Sequence, residues 1–326
     1  MASSVLPDLI GRWRSLARRL RRAAEVVALT SLSAAAQDLQ LDLPLDCTLG
    51  ETCFIQQYVD MDPGPGAEDF TGGPLSYDGH RGTDFRVRDL EVLADGVPVL
   101  APAPGRVRAI RDEMPDRLIE DRSEVAGREC GNGVAIDHGN GWETQLCHLQ
   151  LGSIQVAAGD VVGRGDVLGR MGLSGATQFP HVHITVRRDG DVVDPFVADL
   201  WTTPPDYEPG GLLSVGLLDR VPEFDEIKAG TADASTLPTD PDAIVIWGAV
   251  FGGQAGDVME MVILGTDGGV VFESDVTLDR TQAQLFRAAG RRLRDRTLPT
   301  GDYTGRVILR RAGEELDRLE TTIPIR

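Results

Sequence analysis

The chain has 326 residues, 41% of them apolar and 25% charged, which is ordinary for a soluble globular protein and long enough for two folded units. Its formal net charge of −19 speaks against a nucleic-acid partner, because phosphate binding needs a basic patch. No segment carries the ~20 apolar residues that a membrane-spanning helix requires.

Residues 1–36 are set apart by charge, with six arginines against only Asp8 and Glu25. A basic region, the short apolar stretch VVALTSLSAAAQ and the small residues Ala34-Ala35-Ala36 have the layout of a secretory signal peptide. An arginine-rich amphipathic leader is the alternative. Residues 37–74 are rich in Asp, Pro and Gly and read as an irregular arm. Of the four cysteines, Cys47 and Cys53 are close in sequence, while Cys130 and Cys147 flank a hairpin-like stretch. Four cysteines allow three connectivities; local pairing, 47–53 and 130–147, is the expectation. Disulfides persist in oxidising compartments, which predicts an exported, periplasmic or extracellular protein.

From residue 75 to 200 short strands alternate with glycine turns and helical periodicity is nearly absent. An antiparallel sheet or half-open barrel-sandwich follows. Residues 201–242, with TTPPDYEPGG and GTADASTLPTDPD, read as linker. Residues 243–326 hold five alternating apolar runs, which predicts a small β-sandwich of immunoglobulin type. Within it, RTQAQLFRAAGRRLRDR fits a helix or a charged strand equally. The fold class is therefore mainly β, a sheet domain followed by a sandwich.

All five histidines, His80, His138, His148, His181 and His183, lie between residues 75 and 200. In HVHITV, side chains alternate along a strand, so His181, His183 and Thr185 share one face. Their Cα atoms are about 6.5–7 Å apart, close enough for two imidazoles to converge on one ion, or for one to hold it and the other to serve its neighbourhood. Spacing leaves both options open. In DGHRGTDF, His80 and Asp84 are four apart across Gly82. Histidine, carboxylate and histidine make a mixed nitrogen–oxygen set suited to Zn²⁺ with an open position.

GHRGTDF, CHL and PHVHITV, in this order, resemble the signature of the LytM/lysostaphin-type zinc endopeptidases, peptidase family M23. The likeness covers about residues 75–197. It implies that His80, Asp84 and His183 bind one Zn²⁺, while His148 and His181 flank its open position as catalytic groups. It implies hydrolysis of peptidoglycan stem-peptide cross-links by a zinc-activated water, the two histidines managing protons and oxyanion. His138, in DHGNG, matches a turn position and is read as structural. Cys147 departs from the small or aliphatic residue that often precedes this histidine, and its pairing with Cys130 accounts for it.

Three rivals stand against this reading. A catalytically silent relative that binds the wall or activates another hydrolase keeps the fold and loses the chemistry, yet such members usually lack ligands that are all present here. A biotinyl or lipoyl carrier shares the APAPGRV…GDVLGRMG rhythm, but the only lysine, Lys228, lies outside the domain. A purely structural zinc with four protein ligands is the third.

Overall fold

The computed structural model describes Met1, residues 39–294 and residues 296–326. The expected signal peptide lies outside the described residues. Leu39–Arg326 forms one compact unit.

Its first half contains strands β1 (Phe54–Gln57) and β2 (Thr83–Arg86), a short helix α1 (Leu90–Ala94), then β3 (Pro98–Leu100), β4 (Gly105–Arg111), β5 (Asn132–Gly139) and β6 (Trp142–Leu149). It closes with β7 (Val161–Val162), β8 (Val167–Arg170), β9 (His181–Arg188) and β10 (Asp191–Val192). Seven strands run in the order β1-β2-β9-β6-β5-β4-β7, with β10 beside β9; β3 and β8 make a separate pair. All the ladders are antiparallel. The sheet therefore is antiparallel, as the pattern of short strands predicts.

Turn chemistry explains part of the register. Asn140-Gly141 joins β5 to β6 and Asp189-Gly190 joins β9 to β10, each pair with both φ angles positive (53° and 82°, 55° and 97°). Two such residues make the hairpin turn whose twist matches the strands, and Asn, Asp and Gly tolerate it best. β9 is held in register by its ladders with β2, β6 and β10, so Val182, Ile184 and Val186 fill the core while His181, His183 and Thr185 face the other way.

The second half comprises β11 (Gly211–Leu218), α2 (Phe224–Ala229), β12 (Ala243–Gly253), β13 (Val258–Leu264), β14 (Val270–Thr277), β15 (Gln282–Arg292), β16 (Gly301–Arg311) and β17 (Glu314–Ile325). They form two sheets, β11-β12-β15 and β14-β13-β16-β17. Met259, Met261 and Ile263 alternate inward from β13 to meet Ile244, Ile246 and Val250 of β12. β12 is buried along its length because its other face, Trp247, Ala249 and Phe251, packs on Phe54 of β1. A strand covered on both sides reads as a continuous apolar run, which AIVIWGAVF does.

Three segments differ from expectation. Residues 37–74, expected as an irregular arm, supply β1 at the edge of the first sheet. Residues 201–242, expected as linker, supply α2 and β11, which pairs with β12. The ambiguous RTQAQLFRAAGRRLRDR is a strand, β15, over Gln282–Arg292. Its helix-forming residues yield to the ladder with β12, because tertiary pairing outweighs propensity.

Both expected disulfides, Cys47–Cys53 and Cys130–Cys147, are present. The second ties the start of β5 to β6 next to His148. Replacing Cys130 and Cys147 by serine is expected to cost about 3 kcal/mol, on the chain-entropy account of a loop this size. Denaturant unfolding would check it; an unchanged midpoint would show that the bond adds no stability.

Candidate metal centre

His80 follows a turn at residues 77–79, and its Nδ1 donates to the Tyr58 carbonyl at 2.6 Å. A carbonyl oxygen can only accept, so the ring proton sits on Nδ1 and Nε2 presents a lone pair. Asp84 and His183 are direct cross-strand partners on β2 and β9. His183 Nε2 lies 2.9 Å from Thr185 Oγ1, its hydrogen-bond partner two residues along the same face. Its Nδ1 therefore faces inward, 3.1 Å from His80 Nε2 and 2.8 Å from Asp84 Oδ1. Asp84 Oδ1 is 3.2 Å from His80 Nε2.

Three acceptor atoms thus converge within 4.8 Å of one another. His80 carries its proton outward, and in the tautomer whose Nε2–H donates to Thr185 so does His183; all three inward atoms are then acceptors, a set that a cation can join. Tetrahedral zinc with bonds near 2.1 Å sets ligand–ligand edges of about 3.4 Å, close to the spacing seen. Outward N–H groups tied to a carbonyl and a hydroxyl are the usual supports of metal-binding imidazoles. The residues present fit a divalent metal with nitrogen and oxygen ligands.

His148 and His181 complete the cluster. His148 Nδ1 donates to the Ser174 carbonyl at 2.8 Å, and His181 Nδ1 to the Phe179 carbonyl at 2.9 Å. Each leaves Nε2 free; that of His181 lies 3.7 Å from Asp84 Oδ1. The two rings are 4.6 Å apart, and His148 is 6.1 Å from His183. His148 reaches this position through its backbone. Its neighbour Cys147 is the cross-strand partner of His183, and strict alternation would turn residue 148 to the opposite face. A φ of 65° at His148 breaks that alternation. A non-glycine residue in this region costs of order 1–3 kcal/mol, and such strain gathers at functional sites.

Burial shapes the charges. It pushes the Asp84 carboxyl up, but the close approach of the His80, His181 and His183 rings outweighs it. The carboxyl is held well below its ordinary value. Burial, reinforced by His181 and His183, holds His148 well below the usual imidazole range. Burial likewise lowers His181, with Asp84 partly opposing it. His148 and His181 are therefore neutral at pH 7, each with a lone pair on Nε2.

Gly82 shows how tight the site is. A Cβ there would lie 2.4 Å from the Ile184 carbonyl oxygen and 2.6 Å from His183 Nε2. Gly82→Ala is expected to weaken metal retention by about tenfold, the scale of lost support to a ligand. Metal per chain after dialysis against a graded chelator would measure it; retention equal to the unsubstituted protein would show that the strands yield.

The cluster is the meeting point of two grooves, of about 300 and 250 Å³. Tyr77, Arg122, His148 and Ala176 line both. The Arg122 guanidinium lies 5.0 Å over the Tyr77 ring, and Tyr77 lies 4.5 Å from the His80 ring. Neither Tyr77 nor Arg122 carries a motif that marks it in the sequence; proximity of Tyr77 to His80 is the only signal. His138 stands apart, donating from Nδ1 to the Pro104 carbonyl at 2.7 Å and accepting at Nε2 from Thr144 Oγ1 at 2.8 Å. The structure thus gathers His80, Asp84, His148, His181 and His183 and leaves His138 outside.

Residues 78–195 match the model of Peptidase family M23. Among curated relatives, the DD-carboxypeptidase/endopeptidase Mpg of Neisseria meningitidis serogroup B is 36% identical over 103 residues, 32% of this chain and 22% of that protein. The peptidoglycan DD-endopeptidase ShyB of Vibrio cholerae is 28% identical over 148 residues, 45% of this chain and 29% of that protein. The chain thus spans less than a third of the length of these relatives. A zinc-containing peptidase from Vibrio cholerae is similar at 25% identity over 43% of this chain and 38% of that one, with a TM-score of 0.28.

Proposed function

We propose, for a chain whose residues 78–195 form a peptidase family M23 domain, a zinc-dependent endopeptidase that hydrolyses peptide cross-links of bacterial peptidoglycan. The observation that carries the proposal is the convergence of His80, Asp84 and His183 beside two further neutral imidazoles. His80 Nε2, Asp84 Oδ1 and His183 Nδ1 would hold the ion. A bound zinc would supply Lewis-acid polarisation of a peptide carbonyl and acidify water towards neutrality.

The chain's own residues supply the proton handling. His148 and His181 are low in basicity through burial, so each presents an acceptor Nε2 at neutral pH. Either ring can take a proton from the attacking water, and then, as the imidazolium, donate to the oxyanion or the leaving amine. Backbone carbonyls of Ser174 and Phe179 fix both rings for that work. The named activities of the relatives from Neisseria and Vibrio support peptidoglycan as the substrate. Two disulfides support a place of action in the periplasm or outside the cell.

The test is dye release from purified, labelled sacculi, with the new peptide termini identified by mass spectrometry. Chelation is expected to abolish release and stoichiometric zinc to restore it. A zinc-loaded protein that releases nothing from several wall types would overturn the proposal in favour of a catalytically silent wall-binding or hydrolase-activating role.

A further inference from the structure

Beyond His148 and His181, one groove continues into an arm built from separate parts of the chain. Gln56 and Gln57 of β1, Gln178 ahead of β9 and Gln284 of β15 line it, with the exposed Ala283 at its rim. Apart from the cluster residue Asp84 and the shared Arg122, this lining carries no formal charge. The other groove differs, with Arg81, Arg187 and Glu129 in its walls.

A carboxamide offers two N–H donors and one carbonyl acceptor, the same groups that a peptide backbone presents. Two of the four are aimed by one buried guanidinium. Arg86 Nη1 donates to Gln56 Oε1 and, at 3.5 Å, to Gln284 Oε1. Arg86 is itself anchored on the carbonyls of Val87 and Arg88, at 3.1 Å each, and lies 5.0 Å over the Phe179 ring. With their oxygens engaged, Gln56 is held as a buried support, while the half-buried Gln284 keeps its N–H groups for another acceptor. Gln284 belongs to the β-sandwich half, so that half reaches the edge of the metal site.

We propose that this arm is a subsite for the backbone of an extended peptide on one side of the scissile bond, and that the second β domain completes it through Gln284 and Ala283. The proposal rests on the metallopeptidase reading of the adjacent centre. Gln284 acts as a specificity residue, donating to a backbone carbonyl of the substrate, and Ala283 keeps the rim open for the chain.

The full chain carrying Ala283→Arg or Gln284→Ala would be assayed on a cross-linked muropeptide dimer from Gram-negative sacculi. Ala283→Arg, at an exposed position, is expected to raise KM about tenfold by blocking the arm with a charge. Gln284→Ala is expected to raise it about fivefold, the size of one lost hydrogen bond. Metal per chain should not change in either. Calorimetry with the same dimer on protein carrying His148→Ala should show the same weakening on adding Ala283→Arg. KM and binding within twofold of the unsubstituted protein in both variants would overturn the subsite. Wild-type protein that binds the dimer without cutting it, with binding weakened by Ala283→Arg, would support the subsite and overturn the hydrolase. Neither binding nor cutting would overturn both.

Discussion

His148→Ala and His181→Ala proteins are expected to retain their metal and to lose turnover by about 10²–10⁴-fold, the range typical of a removed general acid or base. Neither ring is among the three converging donors, and the outward anchors of His80 and His183 do not depend on them. Loss should appear in kcat, because a proton carrier acts in the transition state and adds little to ground-state binding. Metal analysis and steady-state kinetics on a muropeptide dimer would be run on the same preparations. Full turnover in both variants would remove these histidines from the mechanism.

Asp84→Asn and His183→Ala should behave differently, losing metal and activity together. Asp84 supplies the only carboxylate of the cluster, and the positive charge of a divalent ion is balanced chiefly by it. An asparagine keeps the shape and the buried position while withdrawing that charge. Activity is expected to fall by about 10³-fold or more, with less than about a tenth of the metal retained after dialysis, as follows when a primary ligand is lost. A variant that keeps one ion per chain would place the metal elsewhere, and unchanged activity in both would sink the assignment of this centre.

How much of this was legible beforehand depends on where local rules operate. His181 and His183 share a face because strand alternation is local, and the DG turn that closes the β9–β10 hairpin is written beside it. Partnership of Asp84 with His183 is a cross-strand fact over 99 residues, and only the order of the motifs hinted at it. The inward turn of His148 rests on one backbone angle that side-chain patterning does not encode. Strands β1 and β11 were hidden for another reason. FIQQ is only four residues long and follows a disulfide loop, and GLLSVGLL lies between two Pro- and Asp-rich stretches. Composition averaged over forty residues hides such strands; their partners reveal them. Gln284 carried no signal at all, since its importance arises from the contact with Arg86 on another sheet.

The packing of Phe54 against Phe251, rings 5.4 Å apart, has a practical side. The M23 match spans residues 78–195, and an engineer would be tempted to excise that segment alone. Such a fragment would forfeit Gln56 and the β1 edge, open β2 to solvent, and strip Arg86 of two acceptors. Moving the second half onto another protein would likewise leave the outer face of β12, with its Trp247 and Phe251, wet and prone to association. Chimeras that keep their joints outside residues 39–326 avoid both injuries.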